Sequence, residues 1–138
     1  MTDLHQNFQK HVNEFITLFK SKIDEYDELV TDNIIFQNRM KEVGYISKED
    51  AISYGCTGPT ARGSGVNCDI RKLYPYEVYR QVQFEEIIET GGDCFSRYLV
   101  RMQEMRQSLS IVEQLIDNIP QGDFQAKTKA VLKLPKGE

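Results

Sequence analysis

The residues best suited to chemistry lie in one block, Gly58-Pro59-Thr60-Ala61-Arg62-Gly63-Ser64-Gly65-Val66-Asn67-Cys68-Asp69-Ile70-Arg71-Lys72, followed by Tyr74-Pro75-Tyr76. Arg62 and Arg71 are fork-shaped donors suited to buried ion pairs and interfaces. Asp69 is an available partner for either. The glycines let the backbone turn sharply or approach another surface closely. Two uses fit this composition: a self-contained salt-bridged loop, or a docking surface. The piece Gly63-Ser64-Gly65 is too short to read as a phosphate-cradling loop.

Outside this block little chemistry is offered. The histidines are His5 and His11, six apart and so expected on different faces of one helix. Neither sits beside a nucleophile in a Ser-His-Asp arrangement. No G-x-S-x-G, Walker-A or G-x-G-x-x-G pattern occurs. The three cysteines, Cys56, Cys68 and Cys94, form no C-x-x-C, which suggests neither a zinc site nor a disulfide framework. They read as packing thiols in a reducing compartment. Asp24, Glu25, Asp27 and Glu28 read as a solvated helical face, with a divalent-cation site as the sharper alternative; that site would lack the backbone oxygens of a calcium loop.

Composition limits the function classes. The 138 residues fit one domain, and 40% hydrophobic with 28% charged residues is a globular balance. The net charge of −4 argues against a phosphate-binding nucleic-acid protein. Lys127, Lys129, Lys133 and Lys136 are the main basic concentration and read as a solvated tail. No run of about 18 apolar residues could span a bilayer, and the first residues do not resemble a secretory signal.

Two long amphipathic helices must position the central block. The first occupies residues 1–33, with Asp3 as N-cap and apolar residues at Leu4, Phe8, Val12, Phe15, Phe19, Ile23, Tyr26 and Val30. Steps of three and four keep them on one face. Further helical turns fit residues 33–42, ended at Gly44. Ser47 with Asp50 reads as a capping box for a short helix closed by Gly55. Residues 55–76 cannot be one continuous helix and read as an ordered loop in which Val66, Ile70, Leu73, Tyr74 and Tyr76 seek burial. Residues 77–90 allow a strand or an extended piece at Val78, Val82 and Phe84. The second long helix spans 93–119, N-capped by Asp93. Its stripe is Tyr98, Met102, Met105, Leu109, Val112, Ile116 and Ile119, and it ends at Pro120 and Gly122. Residues 120–138 form a tail. The expected fold is mainly α and bundle-like: two antiparallel helices with short helices and a Gly/Arg-rich segment, 34–92, between them.

Several stretches together resemble the D subunit of proton-pumping NADH:quinone oxidoreductase (respiratory complex I). They are Gly58-Pro59, Arg62-Gly63-Ser64-Gly65-Val66, Asp69 with Arg71-Lys72, Pro75-Tyr76, and Gly92-Asp93-Cys94 through Arg101-Met102 with Glu104-Met105-Arg106-Gln107-Ser108. Asn33 to Arg39 and Ser47 to Gly55 match as well. Two departures stand out: Cys68 where that family commonly has Trp, and Phe95-Ser96 where it commonly has Tyr-Asp.

The resemblance implies an internal piece of a longer chain, inactive alone, related to nickel–iron hydrogenase large subunits but without their metal-binding cysteines. It implies a scaffold role beside a small iron–sulfur subunit, whose cluster passes electrons from NADH to quinone. That neighbour would supply the cluster ligands, and the quinone-headgroup His and Tyr would lie upstream of Met1. No cofactor, metal or catalytic residue is therefore assigned to this chain. Arg62, Gly63, Ser64, Asp69 and Arg71 are assigned to the subunit interface near the cluster, with Arg62 stabilising added negative charge. The implied location is peripheral, on the cytoplasmic face of the bacterial inner membrane, with other complex I subunits as partners and self-association of the isolated piece. Two alternatives remain at this level: the large subunit of a membrane-bound nickel–iron hydrogenase, and a non-catalytic helical interaction module.

Overall fold

The structure, a computed structural model, describes residues 4–122. Asp3 and the tail lysines Lys127, Lys129, Lys133 and Lys136 lie outside the described residues. Helix α1 covers Phe8–Tyr26 and runs into a π-helical turn, Asp27–Thr31. Three short helices follow: α2 (Ile34–Met40), α3 (Lys48–Ser53) and α4 (Gly58–Arg62). After them come α5 (Ile70–Leu73), a 3-10 turn (Glu77–Arg80) and the long helix α6 (Cys94–Ile116). The fold is mainly α, as expected, and no strand occurs among the described residues.

Local chemistry explains several helix ends. The Asn33 side chain accepts the Ile35 and Phe36 N–H groups and starts α2. Ser47 Oγ accepts the Asp50 N–H at 3.0 Å, and Gly55 leaves α3 with φ +65°. Asp93 Oδ1 accepts both the N–H and the hydroxyl of Ser96 at the start of α6, each at 2.8 Å. These side chains satisfy N–H groups that have no partner within the helix.

Helices α1 and α6 are antiparallel. Gln9 donates to the Ile116 carbonyl at 2.9 Å, Lys20 pairs with Glu113, Arg106 pairs with Asp27, and Thr31 bonds Tyr98 at 2.9 Å. Their seam buries Ile16, Ile23, Met102 and Leu109, with Val12, Phe19, Tyr98 and Met105 packed at its edges.

The buried edge of α1 differs from its expected stripe. Ile16 and Ile23, seven apart and so two turns along one face, carry the contact. Phe8, Phe15 and Tyr26 stay exposed. The apolar arc of α1 is wider than one neighbour can cover, so only one margin is buried. The acids near its end pair with bases instead of forming a cation cluster: Asp24 and Asp27 with Arg106, and Glu25 with Lys22. His5 precedes the helix, and its ring stacks on His11 with centroids 6.3 Å apart, so the expected separation on the helix surface does not hold.

On a second face of α6, Ile111 packs against Val82 and Phe84. Residues 83–90 form neither helix nor strand. Instead the side chains of Gln114 and Gln107 accept the N–H groups of Gln83 and Glu85, at 2.7 and 3.0 Å. Gln114 also donates to the Gln83 carbonyl at 2.7 Å. Two helix side chains thus do for this backbone what a neighbouring strand would otherwise do.

Candidate functional site

The central block divides into two clusters. In the first, Pro59 sits in the first turn of α4, where its missing N–H is harmless. Helix α4 delivers Arg62, Gly63 and Ser64, all buried, against α6 and the turn before it. Arg62 is 8% exposed, and its guanidinium pairs with the Glu104 carboxylate of α6. Arg62 Nε is buried without a hydrogen-bond partner.

Hydrogen bonds stitch this cluster to residues 89–92 and to the Ile46 turn. The Arg62 carbonyl accepts Glu89 N–H at 2.9 Å, and the Gly63 carbonyl accepts Gly92 N–H at 2.8 Å. Ser64 Oγ donates to the Ile46 carbonyl at 2.9 Å, while Ile46 N–H donates to the Gly92 carbonyl at 2.9 Å. Glycine at 63 follows from this crowding. A Cβ there would lie 2.9 Å from both Arg97 Cγ and the Pro59 carbonyl oxygen. This is the close backbone approach the sequence suggests.

Asp93 joins the same junction. Besides capping α6, its Oδ2 accepts the Glu42 N–H at 2.8 Å. Burial pushes its carboxyl upward, but the N–H groups of Ser96 and Glu42 and the Ser96 hydroxyl outweigh burial and hold it below the usual carboxylate range. Arg97 completes the junction by donating to the Gly92 and Gly44 carbonyls, at 2.9 and 2.8 Å.

The second cluster is built on Asp69, 3% exposed. Its carboxylate caps α5 through the Arg71 N–H at 2.9 Å and accepts the Arg71 guanidinium through both Nε and Nη2. The side-chain bond from Arg71 is the largest influence and keeps this carboxyl below its ordinary value despite burial. Arg71 lies over the Phe84 ring, 4.9 Å from its centroid. Glu86 Oε1 accepts the N–H groups of Cys68 and Asp69, each at 2.8 Å.

Of the two arginines that Asp69 could serve, it pairs with Arg71. Arg71 is the second residue of the helix Asp69 caps, so the backbone brings the two together. Arg62 turns to α6, and Glu104 is the partner that sequence reasoning missed. A signal existed: Glu104 shares a helix face with buried Val100 and Ile111, four positions before and seven after it. An acid on such a face needs a cation. Glu86 and Arg97 carried no comparable signal, because they act on backbone atoms of distant stretches.

Most of the apolar side chains expected to seek burial here do not go inside, and Val66 is only half-buried. Leu73 is 53% and Tyr74 74% exposed, and Ile70 and Tyr76 are exposed as well. Asp69 and Arg71 occupy the inward side of the one-turn helix α5, so its apolar side chains face outward. Cys56, Cys68 and Cys94 are free and half-buried. Among the described residues no group of three His, Cys, Asp or Glu is placed to hold a metal, and no helix is long and apolar enough to cross a membrane.

The family model described as respiratory-chain NADH dehydrogenase, 49 Kd subunit, matches residues 1–138. The chain belongs to this family. It is 58% identical over 135 residues to the C/D subunit of NADH-quinone oxidoreductase of Bacteroides thetaiotaomicron. That match covers 98% of this chain and 26% of the relative. It is 43% identical to the D subunit of NADH-quinone oxidoreductase of Desulfotalea psychrophila, with 99% of this chain and 37% of the relative covered. A third relative, an H-type subunit of the NAD(P)H-quinone oxidoreductase of Gloeobacter violaceus, is 41% identical, covering 99% of this chain and 35% of its own length. The chain thus spans between a quarter and two fifths of these relatives. Membership in the 49 Kd subunit family agrees with the resemblance carried by the Gly58–Lys72 and Gly92–Ser108 stretches.

Proposed function

We propose that this chain is a scaffold part of the quinone-side subunit of an NADH:quinone oxidoreductase, peripheral to the cytoplasmic face of the inner membrane. Its neighbours would be other subunits of that complex, above all a small iron–sulfur subunit whose cluster passes electrons to quinone. The supporting observation is the family match across residues 1–138, joined to a block in which Arg62 and Asp69 are buried and paired while Ile70, Leu73, Tyr74 and Tyr76 stay exposed. A rim of large apolar side chains on a rigid base suits a subunit interface.

Within this reading the roles divide. Arg62 and Gly63 hold the block against α6, and Ser64 ties it to the Ile46 turn. Asp69 and Arg71 fix α5, whose exposed side chains meet the partner. Glu104 already neutralises the buried Arg62 guanidinium, so this reading gives Arg62 no charge-stabilising role at the partner's cluster. NAD, quinone and the cluster belong to the rest of the complex.

The test uses the assembled complex. Tyr74→Glu changes an exposed residue and leaves every hydrogen bond described above in place. It is expected to reduce recovery of the iron–sulfur subunit with this subunit, and quinone reductase activity in proportion. Wild-type assembly and activity from this variant and from Leu73→Glu would rule out the rim as the interface.

A further inference from the structure

Helix α1 does not end as a regular α-helix. The Asp32 N–H donates to the Asp27 carbonyl, five residues back, at 2.9 Å, which makes Asp27–Thr31 π-helical. A regular helix would send that N–H to the Glu28 carbonyl. Such turns are rare and occur as single bulges in α-helices, so something specific must hold this one.

Thr31 supplies the hold. In a helix a Thr hydroxyl commonly bonds the carbonyl four residues back. Here it donates to the Asp27 carboxylate instead, at 2.7 Å, and leaves the Asp27 carbonyl to the Asp32 N–H. An ionised carboxylate only accepts, so the single Thr31 hydroxyl proton goes to Asp27. Tyr98 is therefore the donor in its 2.9 Å bond to the same hydroxyl. Arg106 of α6 takes the other Asp27 oxygen. The Thr31 carbonyl accepts the Gln37 side-chain amide of α2 at 2.8 Å. Phe36 of α2 meets the Tyr98 ring edge-on, with centroids 4.9 Å apart. Thr31 thus bonds to the end of α1, to α6 and to α2.

We infer that Asp27–Thr31 is a two-state joint, latched as a π-turn by the Thr31 hydroxyl, and that releasing the latch returns it to α-helical register and re-aims α2. One residue of register is about 100° of rotation about the helix axis. The change would turn the exposed Ile34 and Ile35 to a new direction and draw Asp27 away from Arg106. The place of the joint follows from the packing. Ile16 and Ile23 anchor the earlier turns of α1 in the seam with α6, whereas none of the five residues of the π-turn is buried. Thr31 acts through the backbone and through Asp27, so it is a positioning residue.

The test compares Thr31→Val, Thr31→Ser and Tyr98→Phe with the wild type, each in the full-length subunit within its assembled complex. Valine keeps the β-branch and loses the hydroxyl, whereas serine keeps the hydroxyl. Electron cryomicroscopy reads the register, and hydrogen exchange at the Asp32 amide reads the strength of the latch. Thr31→Val is expected to move the Asp32 N–H to the Glu28 carbonyl, to part Asp27 from Arg106 and to turn α2. Thr31→Ser should keep the π-turn. Tyr98→Phe keeps the ring against Phe36 and removes one bond to the latch. It should raise Asp32 exchange several-fold in an unchanged register, and it carries the test if Thr31→Val does not assemble. A π-turn retained in Thr31→Val, or unchanged exchange in Tyr98→Phe, would show that the hydroxyl is not the latch. An irregular turn in Thr31→Val would show that the joint has no second state. Loss of the π-turn in Thr31→Ser would assign the register to the methyl group. Any of these four results overturns the inference.

Discussion

Arg62 and Glu104 stand 42 positions apart and meet as an ion pair between α4 and α6. The Arg62 side chain is 10% exposed and that of Glu104 20%. A pair so far removed from water is costly to break from one side, because the surviving charge is left desolvated. Removing one partner of a buried pair typically costs about 3–5 kcal/mol. Arg62→Ala and Glu104→Ala are both expected to lower stability by about 3 kcal/mol, read by urea unfolding, with the double variant well short of the sum. Arg106 and Asp27, which are more exposed, should show a coupling of about 1 kcal/mol or less that fades in high salt.

Gly92 and Gly55 separate crowding from backbone strain. Both have positive φ, +68° and +65°. A Cβ on Gly92 would lie 2.5 Å from the Ile46 carbonyl oxygen, whereas one on Gly55 meets nothing within 4 Å. Gly55→Ala should therefore cost only the strain, about 1–2 kcal/mol. Gly92→Ala should cost clearly more, since the Ile46 N–H bond to its carbonyl resists the required shift. Thermal unfolding of the two variants side by side checks the difference.

Three carboxylates set the acid limit. Asp27, Asp69 and Asp93 all titrate below the ordinary carboxylate value in the folded chain. The Thr31 hydroxyl is the largest cause for Asp27, and the Arg71 guanidinium for Asp69. For Asp93 burial is the largest single influence and acts upward, but the hydrogen bonds from Ser96 and Glu42 together overcome it. A lowered folded pKa means that the unfolded chain binds protons more readily. Stability from these groups is present above the unfolded value of about 3.9 and is lost as pH falls through the folded values. The unfolding free energy should thus be flat through neutral pH and drop below about pH 4. Asp93→Asn should blunt that drop, as measured by urea midpoints across the acid range.

Phe84 tests the docking of the segment before α6. It is buried with Val82 against Ile111 and lies under Arg71. Phe84→Ala is expected to cost about 3–5 kcal/mol. It should also raise amide exchange at Gln83 and Glu85, whose N–H groups depend on the side chains of Gln114 and Gln107. Unchanged exchange there would mean that the amide side chains alone hold the segment.

Short-range backbone chemistry is legible in the order of the residues. As caps, Ser47, Asp93 and Gly55 act on backbone groups within about four positions, so the limits of α3 and the start of α6 follow from the sequence alone, whereas the second bond of Asp93, to Glu42, does not. The periodic stripes likewise mark α1 and α6 as helices that pair, and the Gly/Arg-rich block carries the family resemblance. Tertiary structure decided the rest. Which margin of the α1 arc is buried depends on where α6 lies, and it selects Ile16 over Phe15. Whether Arg62 meets Asp69 or Glu104 depends on how α4 approaches α6 across 42 positions. The outward turn of Leu73 and Tyr74 follows from Asp69 and Arg71 claiming the inner side of a single helical turn. Caps and periodicity act over a few residues of backbone geometry, whereas these outcomes depend on long-range contacts that form only when distant stretches are packed together.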